Sequence, residues 1–146
     1  MNAMQGLKGF LILGLLFGAD ALYAEGLVAP QGSTTLVVTN VDFQNFLIDG
    51  QPDPDLMLMR GATYVFDLQA IPAFHPFFIK TVQSTGSGNT FDDGVTGNGA
   101  SGENDITFQV PMSAPNLLFY NCGNHAAMTG NIFIVDNPTI FANGFE

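Results

Sequence analysis

From about residue 25 onward the chain never sustains the 3.6-residue period of an amphipathic helix. Its apolar residues fall instead into short runs cut by glycine and proline. The clearest run is Ile106-Thr107-Phe108-Gln109-Val110, whose strict alternation puts Ile106, Phe108 and Val110 on one face of a strand. Residues 63–68 alternate in the same way, with Tyr64, Phe66 and Leu68 set against Thr63, Val65 and Asp67. Further strand-like runs cover 34–39, 43–48, 56–59, 77–82, 117–122 and 131–135, with turn signals at Asp49-Gly50, Pro52, Pro54 and Gly61. Seven or eight short strands with nothing helical between them predict an all-β sandwich. Apolar residues make up 47% of the 146, with 14 Phe, enough to fill a core.

Residues 85–105, rich in Gly, Asn, Ser and Asp, read as a long surface loop. Asp92-Asp93-Gly94 and Gly97-Asn98-Gly99 raise calcium, but their spacing matches no calcium loop. Gly86-Ser87-Gly88 opens no helical pattern, so a phosphate loop is poorly supported. Thirteen acids oppose only Lys8, Arg60 and Lys80, a formal net charge of −10. Nucleic acid and anionic membrane surfaces need basic patches, so the balance argues against both as partners. A basic protein partner fits the charge, and so does a surface that is acidic simply for solubility.

The N-terminal end follows a different rule. Lys8 precedes an apolar run over residues 9–18, about the length of the core of an export signal, and Ala19-Asp20-Ala21 or Ala24 supplies small residues for cleavage. The run is short for a spanning helix, which needs ~20 apolar residues. The expected organisation is a signal peptide at 1–24, one domain at 25–136, and a tail at 137–146 with no evident role. The mature protein is expected in the periplasm or outside the cell, without stable membrane insertion, as a monomer.

Export makes the single cysteine conspicuous, since a lone thiol in an oxidising compartment has no intramolecular partner. Ligation resolves this. Cys122, His125 and Met128 stand as Cys-x2-His-x2-Met, between a strand ending at Cys122 and another near Asn131, and His75 lies in a separate His-Pro-Phe segment. Leu118, Tyr120 and Cys122 share one strand face, and Gly123-Asn124 allows the turn that swings His125 back. Two imidazoles, a thiolate and a thioether form the donor set of a copper electron-transfer site. Zinc competes for His and Cys, but structural zinc sites rarely recruit Met.

On these residues, and above all on the stretch 119–130 (Phe-Tyr-Asn-Cys-Gly-Asn-His-Ala-Ala-Met-Thr-Gly), the chain resembles the cupredoxins over roughly residues 34–135. The loop spacing is similar to that of amicyanin. The resemblance implies a Greek-key sandwich holding one copper ion, with His75, Cys122 and His125 as strong equatorial ligands and Met128 as the axial one. It also implies an electron port at His125, with Ala126 and Ala127 in a docking patch. Many members carry Asn after the upstream histidine, where its amide donates to the ligating sulfur. Pro76 stands there in this chain and has no N–H to give. Fewer donors leave more charge on the thiolate, which predicts a lower potential than a chain with that donor restored.

The expected function is therefore an exported blue copper protein passing single electrons between redox partner proteins. It is not expected to be an enzyme. Copper oxidases and nitrite reductases need further histidine-rich centres, and this chain has no third histidine. The alternatives are copper storage or delivery, which calls for extra Met or His clusters, and a metal-free sandwich that binds protein.

Overall fold

The computed structural model describes residues 27–28, 34–102 and 104–136. The expected signal peptide and the 137–146 tail lie outside the described residues. The strands are β1 (Leu27–Val28), β2 (Thr34–Val41), β3 (Asn45–Ile48), β4 (Gln51–Pro52), β5 (Asp55–Met59), β6 (Thr63–Asp67), β7 (Phe77–Lys80), β8 (Val95–Thr96), β9 (Ile106–Gln109), β10 (Leu117–Cys122) and β11 (Thr129–Val135). They form two sheets, one in the order β1-β5-β11-β10-β7 and the other β4-β3-β2-β6-β9-β8. Pairing is antiparallel except where β5 meets β1 and β11, and where β2 meets β6.

All eight strand runs read from the sequence become strands, but the count of seven or eight is too low. The additional segments β1, β4 and β8 are two residues each and sit at sheet edges. Two residues carry no periodicity to read. Short edge strands also leave little free backbone for another chain to pair with, and Pro52 is tolerated in β4 because that strand has an open side. Two boundaries shift as well. Phe43, expected in a strand, lies in the turn before β3, and β11 begins at Thr129 rather than Asn131.

Alternation dictates which residues meet between the sheets. Leu36, Val38, Phe46, Ile48, Leu56, Leu58, Phe66, Phe108, Leu118 and Ile132 are all buried, while their odd neighbours are not. At one end of this core Phe46 and Phe66 from one sheet pack on Phe77 from the other, with centroids 4.9 and 5.2 Å away. Phe77 stacks on Tyr120 at 5.3 Å. The Tyr120 hydroxyl donates to the Pro54 carbonyl at 2.8 Å, so its polar end is satisfied inside the core. This aromatic cluster anchors β7 and β10 side by side, with Cys122 in register with Phe77.

The 85–105 segment is surface, as expected, but it is also built structure. Besides β8 it bridges Lys80 to Thr90, and it returns hydrogen bonds to the free edge of β7. Asn98 accepts from the Ile79 N–H and donates to the Ile79 carbonyl, while the Gly99 N–H donates to the Phe77 carbonyl. The second edge of the five-stranded sheet is thereby covered.

Candidate metal centre

The start of β7 and the end of β10 lie at the same pole of the sandwich, so the segments beyond them meet there. His75 ends a turn closed by its own N–H donating to the Pro72 carbonyl at 2.9 Å. Cys122 is the last residue of β10, and residues 123–128 form the loop back into β11. Two backbone bonds close that loop, from the Cys122 N–H to the Met128 carbonyl at 2.9 Å and from the Met128 N–H to the His125 carbonyl at 3.3 Å. The chain reversal lies within 123–128, since Thr129 and Gly130 already belong to β11. Asn121 is buried against the alternation of its strand because its side chain donates to the Cys122 and Met128 carbonyls.

The two ligand-bearing segments are tied directly to one another. The Gly123 N–H donates to the Pro76 carbonyl at 2.9 Å, and the Asn124 side chain donates to the Phe74 carbonyl at 2.7 Å. Gly123 is needed for space rather than for an unusual φ. A Cβ there would meet the Phe78 ring at 2.8 Å and the Pro76 ring at 3.0 Å.

Among the described residues, His75, Cys122 and His125 form the one group of potential ligands able to share an ion. The two Nδ1 atoms are 3.0 Å apart, and the sulfur lies 3.7 Å from that of His75 and 3.5 Å from that of His125. A circle through these three atoms has a radius of about 2.0 Å, close to a metal–imidazole bond and little short of a metal–thiolate bond. Both rings turn the same nitrogen inward, so a single ion at the centre would meet two lone pairs and the sulfur. His75 and Cys122 are fully buried, and His125 is partly exposed. Met128 is also buried, at the far end of the same loop.

Electrostatics favour a neutral His75. Burial, and secondarily the neighbouring His125, hold the His75 imidazole below its ordinary pKa of 6.5. Its Nε2 is buried and has no partner among the described residues, so packing and whatever Nδ1 binds hold the ring. Among the described residues one backbone group addresses the sulfur, the Asn124 N–H, at 3.4 Å.

Sequence reasoning placed no aromatic residue at this site, yet two are there. Phe43, from the turn between β2 and β3 in the other sheet, lies 5.7 Å from the His75 ring and 5.1 Å from that of His125. Phe74 lies 4.4 Å from His75 and 6.0 Å from Phe43. Both rings are about half exposed, at 55% and 52%. The available signal was Phe43 itself, an apolar residue between the polar turn formers Asp42 and Gln44. Asp42 adopts a φ of 51° and accepts from the Gln44 N–H, which holds the turn.

No protein-family model matches the chain, and no curated protein matches it in sequence. Solved structures do. Reduced rusticyanin aligns at 23% identity over 80% of this chain and 89% of its own, with a TM-score of 0.53. Rusticyanin from Thiobacillus ferrooxidans aligns at 22% over 78% and 85%, with a TM-score of 0.52. A Met-to-Leu rusticyanin variant aligns at 21% over 78% and 84%, at 0.54. The chain has the cupredoxin fold, with two histidines and a cysteine gathered at one pole.

Proposed function

We propose that this protein is a mononuclear blue copper protein that carries single electrons. In this reading His75, Cys122 and His125 would hold the ion, and Met128, buried at the end of the same loop, would offer its thioether. The observation that carries it is the triangle of two Nδ1 atoms and one sulfur, whose size suits one ion. Rusticyanin, whose fold is similar, is a copper protein. Copper bound in such a site supplies a one-electron couple between Cu(II) and Cu(I).

The chain's own residues do the rest. Cys122 binds as thiolate and the histidines as neutral imidazoles. The hydrogen-bonded loop and the strands beneath it limit how far the ligands move. Phe43 and Phe74 keep water from the histidines, and their exposed faces, with Ala126 and Ala127, surround the partly exposed His125 with apolar surface. That is a surface for a redox partner protein, and the acidic charge favours a basic one. No substrate is transformed. The N-terminal apolar run supports a periplasmic or secreted location.

Copper storage or delivery is the competing reading. Full burial of His75 and Cys122 disfavours it, because handing over the ion would require opening the packed pole. A visible spectrum of the copper-loaded, oxidised protein tests the proposal. An intense sulfur-to-copper charge-transfer band lost in Cys122→Ser supports it, and a colourless protein or a zinc-only preference rejects it. A reversible couple with fast self-exchange supports the carrier over delivery, which a readily transferred ion would favour.

A further inference from the structure

Lys80 is the last residue of β7 and is fully buried, an unusual place for an ammonium. Burial lowers its pKa from the ordinary lysine value. Its charge is met by a loop folded around it. The Ser84 and Gly86 carbonyls each accept from Nζ at 2.6 Å, and the Thr85 carbonyl lies at 3.4 Å. Three carbonyl dipoles converging on one cation are what a desolvated ammonium requires, and charge-assisted bonds of this length are strong. The cation therefore dictates where residues 84–86 sit.

One of that loop's other contacts leads to the candidate metal centre. The Gly86 N–H donates to the Gly123 carbonyl at 2.7 Å. Gly123 C=O and Asn124 N–H belong to a single planar trans peptide, so they point in opposite directions. Anchoring the oxygen on Gly86 aims the N–H the other way, and that N–H is the one donating to the Cys122 sulfur at 3.4 Å. A second path runs through packing. The Lys80 ammonium lies 5.3 Å from the centre of the Phe78 ring, and that ring fills the space a side chain at position 123 would need.

We infer that Lys80 is a positioning residue for the metal centre. Through the 84–86 loop it sets the orientation of the Gly123–Asn124 peptide, and so the hydrogen bond received by the Cys122 sulfur. It touches neither the sulfur nor an imidazole. Its role is felt at the sulfur because Pro76 has no N–H to contribute, which leaves the Asn124 amide to do so. Weakening that bond leaves more negative charge on the thiolate, which favours the oxidised ion and lowers the reduction potential. The potential rests on the copper reading; the amide geometry does not.

The test uses amide hydrogen exchange of the full metal-free protein by NMR, together with the spectrum and potential of the copper-loaded protein. Lys80→Met removes the cation. Gly86→Ala loosens the same loop from outside the core. A Cβ at Gly86 meets nothing within 4 Å, but the φ of +74° is strained for alanine. Arg60→Met, at the other pole, is the control for general destabilisation. The expected result is Asn124 amide exchange roughly five- to tenfold faster in both loop variants, the worth of one hydrogen bond, and little changed in the control. The charge-transfer band shifts and the potential falls in the same two variants. Unchanged Asn124 exchange in Gly86→Ala overturns the inference even if Lys80→Met does not fold, as does equal acceleration in Arg60→Met. If copper fails to bind, the function proposed above is lost, while the amide measurement still decides this one.

Discussion

Phe43 shows how much a single side chain outside the ligand set can contribute. It stands in a turn between two strands of the opposite sheet, yet its ring contacts both imidazoles. Apolar groups around a metal control the access of solvent and competing ligands. Phe43→Ala is expected to release copper to a chelator about tenfold faster while keeping the charge-transfer band, as stopped-flow absorbance would show. Phe43→Leu should recover most of the difference. His75 carries a second expectation. Its folded pKa is held below the 6.5 of the free imidazole, so between those values the unfolded chain binds more protons than the folded one. Stability of the metal-free protein therefore rises with pH through that window and is lost as pH falls below about 6.5. Denaturation midpoints of metal-free protein at several pH values should show this slope, and His75→Leu should flatten it.

At the scale of elements, the β10–β11 hairpin carries the most information. Its register pairs Tyr120 with Gly130, and the Tyr120 ring occupies the space where a Cβ at Gly130 would stand. Gly130→Ala must push that ring off Phe77 or break its bond to Pro54. The expected cost is about 1–3 kcal/mol by denaturant titration, the usual range for overpacking a tight core. The visible spectrum should change too, because Tyr120 lies two residues from Cys122 on the same strand face. The other pole behaves differently. Arg60 donates to Asp136, the Ala114 carbonyl and Asn116, tying the end of β5 to the segment before β10 and the end of β11. β11 runs between the poles, seven residues and so about 20 Å. Losing Arg60 should lower stability without moving the band, which is why it serves as a control.

Across the whole molecule, charge is distributed one-sidedly. Both cations among the described residues, Arg60 and Lys80, are buried, so the described surface displays Asp side chains without exposed Lys or Arg. Exposed charges of one sign steer association with an oppositely charged partner, and salt screens them over a Debye length of ~10 Å at 0.1 M. Electron exchange with a basic redox protein is therefore expected to slow as ionic strength rises. With an acidic partner it should quicken. Stopped-flow rates against salt concentration distinguish the two.

The longer strands and the convergence of Cys122 and His125 could be read from the amino acids alone. Period-two alternation and Gly/Pro breaks are local properties, so all eight longer strands were legible, and Cys122, His125 and Met128 lie close enough along the chain to be read as one loop. The edge strands β1, β4 and β8 were not legible, because two residues contain no period. What surrounds these groups came from packing. It placed Phe43 over both histidines from the other sheet, gave Gly123 its reason in the Phe78 ring rather than in φ, and folded residues 84–86 around Lys80. Phe43 and Phe78 stand dozens of positions from the residues they meet, and the 84–86 loop, though close to Lys80 in sequence, closes only around an ammonium that folding has buried; no local pattern encodes either.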